Sequence, residues 1–354
     1  MQRMQHQISR FINRRSHAVR KTQVGSRKMT RTPADIVFDG TQFGVIEIHK
    51  LHNWLKVPYH PAFATKTATP MNIIDILKAW PLYVLPHHFI SRLVFRLTRV
   101  QCPRLVPDAI RLFSKVFKVN LEEAVNPDPA SYTTFNQFFT RPLKPELRPW
   151  AMAETALASP VDGRVSQLGK IEQGRIFQAK GHDYTVLELL GGDEARAAAF
   201  AGGQFATIYL SPRDYHRIHM PLAGTLTEQV YVPGRLFSVA GHTVRTVPCL
   251  FARNERVVAM FDTEFGKMAM VLVGAINVAA IETVWDGLVT PPQGWAVKRQ
   301  VFADVQLAKG EEMGRFNMGS TVILLLENPH VAWAQGVSAD APVQLGQALA
   351  DLQA

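Results

Sequence analysis

Cysteine is scarce in this chain: Cys102 and Cys249 are the only two in 354 residues. Two thiols in a protein of this length argue against a disulfide-built scaffold and suit a reducing compartment. Long apolar runs are missing too. The longest candidate, 269–281, contains Asn277 and falls short of the roughly 18 residues a membrane-spanning helix needs. There is no cysteine cluster and no His-Glu-x-x-His pattern, so no metal is expected. Acidic residues are absent from residues 1–34, where basic residues run from Arg3 to Arg31 with few large apolar ones. Such a segment cannot bury enough surface to order itself, and it lacks the apolar core of a secretory signal.

The charge is unevenly placed. Of the net +10, residues 1–70 contribute nine, from 12 Lys and Arg against 3 Asp and Glu; the remainder is balanced at 27 against 26. The body therefore gives no support for a nucleic-acid partner. Residues 1–70 are expected to be a basic, disordered and dispensable extension. It is either the product of a start assigned too far upstream of Met71, a tail that adds attraction to membranes, or a targeting segment whose composition resembles a mitochondrial transit peptide.

From Met71 the pattern changes. Asn72, with Asp75 three residues on, suits a helix cap, and Ile73, Ile74, Leu77 and Trp80 recur at helical spacing. A second helix is predicted after Pro86, with Phe89, Ile90, Leu93, Leu97 and Val100 on one face and Arg92, Arg96 and Arg99 on another. A third follows Pro107, with Ile110, Phe113, Val116 and Phe117 against Arg111, Lys115 and Lys118. Basic amphipathic helices can lie in a membrane interface over anionic lipid, or pack their apolar faces on the protein's own core; the periodicity is the same for both.

The proline-rich stretch 132–149 reads as a turning connector. Strand signals then dominate, at 206–210, 224–232, 256–262, 268–273, 278–284 and 322–326, interrupted by one helix around 184–190. The expected class is α+β: N-terminal amphipathic helices over 71–130, then a β-rich, mainly antiparallel body over 131–354.

Three places carry polar chemistry. Asp162 sits in the turn Ser159-Pro160-Val161-Asp162-Gly163, where a backbone-capping aspartate is the commoner case. His216 and His219 lie three apart in Tyr215-His216-Arg217-Ile218-His219-Met220-Pro221. Ser320 follows Gly319 in Gly314-Arg315-Phe316-Asn317-Met318-Gly319-Ser320-Thr321, which runs into the apolar Val322–Leu326. A plain turn explains a lone Gly-Ser; with a histidine as base and Asp162 as orienting carboxylate, Ser320 becomes a candidate nucleophile. Its target is either an outside substrate, as in a serine hydrolase, or its own peptide bond.

From Met71 onward the chain resembles bacterial-type phosphatidylserine decarboxylases. The resemblance is carried by 132–149, Asp162-Gly163, 178–182, 209–221, 231–234, 250–256, 261–266 and 314–321, in that order. Val161 and Met318 depart from the family pattern only by apolar exchange. The resemblance implies a proenzyme that cuts itself between Gly319 and Ser320, into a β chain ending at Gly319 and an α chain of residues 320–354. Ser320 would become a covalent pyruvoyl group, the cofactor, on which the substrate amine forms a Schiff base. It further implies His219 as the processing base, Asp162 as its orienter and His216 as the proton donor in decarboxylation. Phosphatidylserine in a membrane, an anionic lipid surface and a dimer of two-chain units are the implied partners. The expected place is the cytoplasmic face of a bacterial inner membrane, with the mitochondrial inner membrane as alternative. Competing readings are the serine hydrolase, which predicts an intact chain, and a non-enzymatic peripheral lipid-binding protein.

Overall fold

The computed structural model describes residues 73–353 apart from 180, 277–279, 292–294 and 318–320. The expected extension 1–70, the cap at Asn72 and the Gly319–Ser320 bond lie outside the described residues. Those that are described belong to one compact unit, Lys66–Ala354.

Five helices come first: α1 (Ile73–Ala79), α2 (Pro81–Val84), α3 (His87–Leu97), α4 (Val106–Phe117) and α5 (Phe135–Phe139). α4 begins one residue before Pro107, which sits in the first turn, where its missing N–H costs nothing. α5 corrects the expectation of a bare connector. Thr134 Oγ1 accepts from the Gln137 N–H (3.2 Å) and caps a short helix between the prolines.

The apolar stripes of α1 and α3 face outward. Ile73, Leu77, Phe89, Leu93 and Leu97 are all exposed, whereas the buried residues of these helices include polar ones: Asp75 on α1, His87 and Ser91 on α3. Polar contacts dock them on the body. Asp75 pairs with Arg245 (2.9 Å), Arg235 Nη2 donates to the Tyr83 carbonyl (2.8 Å), and His88 Nε2 donates to the Gly234 carbonyl (2.9 Å). α4 is different: Val106 and Ile110 are buried with Tyr132 and Phe138 in a small core of their own, while Leu112 and Val116 remain exposed.

The body is built on antiparallel strands. The ones used below are β1 (Gly163–Lys170), β2 (Gln204–Tyr209), β3 (Arg217–His219), β4 (Gly224–Val232), β5 (Arg256–Thr263), β6 (Gly266–Val273), β7 (Ile281–Thr283), β8 (Lys298–Val301), β9 (Glu312–Phe316) and β10 (Thr321–Leu326). A nine-stranded sheet runs β8-β4-β5-β6-β10-β2-β1 and ends on Pro342–Val343, with Gln306–Leu307 also on β4. All six residues of β10 are buried between β2 and β6, as its continuous apolar run requires. A fully buried Val, Leu or Ile contributes about 1.5–3 kcal/mol, so β10 anchors the core. A second sheet runs Gly287–Leu288, β7, β9, β3.

Two expected elements are shorter than their sequence signal. The strand expected over 278–284 is Ile281–Thr283, its first two residues lying outside the described set. The helix expected around 184–190 is Val186–Leu189. Tyr184 instead belongs to the strand His182–Thr185, which pairs with Arg175–Ala179, and Thr185 and Glu188 close a capping box that starts the helix late.

Candidate active site

Two chain crossings between the sheets create the site. β2 ends at Tyr209 in the large sheet, and residues 210–216 lead into β3 of the small one. Returning the other way, β9 ends at Phe316 and β10 begins at Thr321. The crossings run side by side: β3 pairs with β9, the Phe316 N–H donates to the His216 carbonyl (2.9 Å), and Thr321 lies opposite Tyr209. The two histidines stand at the first crossing, and the second contains, in sequence, Gly319-Ser320. Asp162 joins them from β1, because Arg164 also pairs with Tyr209 and the His219 N–H donates to the Pro160 carbonyl (3.0 Å). Gly163 is required here: a Cβ would come within 2.5 Å of the Tyr209 carbonyl oxygen.

His219 is held at both ring nitrogens. Nδ1 lies 2.8 Å from the Gly310 carbonyl, which only accepts, so Nδ1 carries the proton. Nε2 is then the bare nitrogen and accepts from the Tyr215 hydroxyl (3.0 Å). Burial pushes the His219 pKa below its ordinary value, against smaller raising effects of the Gly310 carbonyl and of Glu312. The ring is a neutral base at neutral pH.

His216 is fully buried. Its Nδ1 donates to the Asp214 carbonyl (2.8 Å), and its ring packs on Phe139 of α5 with centroids 4.2 Å apart. Nε2 is left with a lone pair and no partner. Burial, with the charge of Arg141 second, lowers its pKa to about 3.

Asp162 does not hydrogen-bond to His219. Arg148 spans both carboxylate oxygens, Nε to Oδ1 at 2.9 Å and Nη2 to Oδ2 at 2.7 Å, and the Leu345 N–H takes Oδ1 at 2.8 Å. A guanidinium fork outcompetes a neutral imidazole N–H for a buried carboxylate. Glu123 shares Arg148 Nη2 (2.7 Å), and the Arg148 pKa is raised chiefly by its hydrogen bonds to Asp162. His219 still lies in the raising field of Asp162. Arg148, Tyr215 and the Gly310 carbonyl are thus partners of the site that the motifs did not single out.

Among the described residues there is no cluster of His, Cys, Asp and Glu able to hold a metal ion. Three buried polar atoms here have no partner: His216 Nε2 and Asn136 Oδ1, which can accept from an amine, and the Thr321 hydroxyl, which can donate to a carbonyl oxygen; the set fits a small carbonyl group with an amine bound to it.

A histidine with a bare ring nitrogen, a second with a free lone pair and a paired carboxylate thus meet at one sheet junction, groups chemically able to exchange protons. The phosphatidylserine decarboxylase family model matches residues 135–351, and a second model, described as PSD, matches 77–118. The phosphatidylserine decarboxylase proenzyme of Alkalilimnicola ehrlichii is 59% identical over 260 residues, 73% of this chain and 90% of that protein. Those of Stutzerimonas stutzeri and Shewanella baltica are 56% identical over 271 residues and 53% over 286; the alignments cover 75% and 79% of this chain, and 91% and 98% of those proteins. The chain belongs to the phosphatidylserine decarboxylase family and is a lyase.

Proposed function

We propose that this chain is a self-cleaving proenzyme whose mature form decarboxylates phosphatidylserine to phosphatidylethanolamine through a pyruvoyl group made from Ser320. The observation that carries this reading is the junction itself. Two neutral histidines, His216 fully buried with an unused lone pair and His219 half-buried, stand beside the crossing from β9 to β10, whose sequence contains Gly319-Ser320.

In processing, His219 Nε2 takes the Ser320 hydroxyl proton, in the place now held by the Tyr215 O–H. The Ser320 oxygen bonds to the Gly319 carbonyl carbon, the Gly319–Ser320 peptide C–N bond breaks, and the freed nitrogen receives the proton. Asp162, fixed by Arg148, supplies the negative field that favours the transient imidazolium. Loss of the α-proton of residue 320 then expels the Gly319 carboxylate and leaves a dehydroalanine; water releases ammonia from it, and a pyruvoyl group remains.

When formed, that group supplies the sink for the electron pair left as CO₂ departs. The residues around it handle protons. The substrate amine arrives as an ammonium ion and must lose a proton before it can react. His216 Nε2, neutral and without a proton of its own, becomes the acceptor once the substrate's anions offset the field of Arg141 that keeps it neutral, and it returns the proton to the carbon that lost CO₂. The donor role expected for His216 is thereby preceded by an acceptor role. Burial behind Phe139 keeps the proton from exchanging with water.

The pH dependence of cutting tests the assignment of His219. Its folded pKa lies below 6.5, so the base form is in the majority at that pH. The first-order rate of self-cleavage in freshly translated protein should level off above pH 6.5 and fall as pH drops below it. A rate still climbing through pH 8 excludes His219 as the base.

Membrane attachment follows from the outward stripes of α1 and α3, which place apolar side chains beside the exposed Arg92 and Arg96. Among the described residues no helix is long and apolar enough to cross a membrane. Peripheral binding to anionic lipid on the cytoplasmic face of a bacterial inner membrane, as a dimer of two-chain units, completes the proposal. Reversing Arg92 and Arg96 to glutamate should weaken binding to phosphatidylglycerol vesicles by at least about 2 kcal/mol, at about 1 kcal/mol per basic residue near the surface. Binding that is insensitive both to this change and to salt would place these helices away from lipid.

A further inference from the structure

Among the described residues four arginines are buried: Arg141, Arg148, Arg196 and Arg256. Three have the partners that a buried guanidinium demands. Arg148 forks onto Asp162, Arg196 onto Glu228, and Arg256 donates to the carbonyls of Glu188, Leu189, Ala252 and Asn254. Arg141 does not. It is 3% exposed and makes no ion pair among the described residues. Its Nη2 reaches the Arg213 carbonyl at 3.3 Å, its Nη1 reaches the Phe138 carbonyl only at 3.5 Å, and Nε has no partner. The guanidinium also lies 5.2 Å from the Phe138 ring centroid, a weak substitute for an anion.

Its position gives this meaning. Arg141 follows α5 by two residues. From α5, Phe139 packs on His216 and Asn136 Nδ2 donates to Asn317 Oδ1 at 3.0 Å. The unpartnered atoms Arg141 Nε, Asn136 Oδ1, His216 Nε2 and Thr321 Oγ1 all belong to the elements that meet at this junction. Asn317 lies two residues before the proposed cut, so cleavage frees a segment bonded to this cluster. The field of Arg141 is felt at His216.

We infer that Arg141 is the anion-recognising residue of the site and that the anion is the phosphodiester of the substrate. This rests on the proposed function. The substrate carries two anions. A guanidinium clamped on the carboxylate stabilises a charge that disappears in the transition state, which raises the barrier. The phosphodiester keeps its charge throughout, so pairing with it strengthens binding without slowing the chemistry. The planar fork of arginine suits two phosphate oxygens. Arg141 is therefore a specificity residue, and its loss raises KM more than it lowers kcat.

The test compares two soluble substrates on the mature enzyme: a short-chain phosphatidylserine, and an O-alkylserine that keeps the amine and carboxylate but lacks the phosphodiester. Arg141→Met should cut the ratio of kcat/KM for the first substrate to that for the second by about 10–100-fold, the scale of a charge-assisted pair; the effect of the lost charge on His216 falls on both substrates and cancels in the ratio. Arg141→Lys, which keeps the charge without the fork, should fall between. An equal loss on both substrates, an unchanged preference, or a failure of both variants to mature would each overturn the inference. Wild-type enzyme is the control that separates the two levels. If it releases no CO₂ from phosphatidylserine, the proposed function itself fails; if it does and Arg141→Met keeps its preference, only the inference fails.

Discussion

Ser320→Ala should yield a single full-length chain with no decarboxylase activity. Without the side-chain oxygen nothing attacks the Gly319 carbonyl, and no pyruvoyl group can form, so the loss of activity is complete and not graded. The variant should fold as the wild type does. Thr321 is locked between Tyr209 and Val273, and the six buried residues of β10 do not depend on the hydroxyl of residue 320. His219→Ala should show the same intact chain by a different route: the hydroxyl remains, but the base at Nε2 is gone. Denaturing electrophoresis over hours after translation reads both. Normal cutting in Ser320→Ala removes it as the nucleophile, and normal cutting in His219→Ala removes His219 as the base.

His216→Phe should separate the two reactions. The ring packs on Phe139, so a phenyl ring of similar size can stack in its place, and the Nδ1 hydrogen bond to the Asp214 carbonyl is the main structural loss. Self-cleavage should proceed, because His219 and its partners are untouched. Decarboxylation should fall by about 10²–10⁴, the usual contribution of a positioned proton-transfer group. The measurement is CO₂ release per mole of cleaved chain, which corrects for any loss of maturation. An uncut His216→Phe together with a cutting His219→Ala would exchange the two roles.

The sequence showed these two histidines because they sit in one short motif with a serine-bearing turn farther along. It could not show what holds them. Gly310 is 91 residues from His219, and its role is played by a backbone carbonyl, which no side-chain pattern reveals. Arg148 lies in the stretch 132–149, whose prolines dominate the signal. Its pairing with Asp162 depends on how the connector folds back, and direct orientation of His219 by Asp162 was expected in its place. The N-terminal helices illustrate another limit. Hydrophobic period marks a helix and its stripe but not the direction the stripe faces. Only the burial of Asp75, His87 and Ser91 shows that α1 and α3 turn their apolar sides away from the body. β10 was legible throughout, since an unbroken apolar run bounded by glycine and proline has few destinations other than the centre of a sheet.

Self-processing at residue 320 is most directly tested by the intact mass of the purified wild-type protein under denaturing conditions. The proposed chemistry predicts two chains. One ends at Gly319. The other begins at residue 320, is lighter than the serine-initiated peptide by one ammonia, and resists N-terminal sequencing until its ketone is chemically converted to an amine. A single uncut chain that nevertheless releases CO₂ from phosphatidylserine, or a cut chain that begins with an unmodified serine, would contradict it.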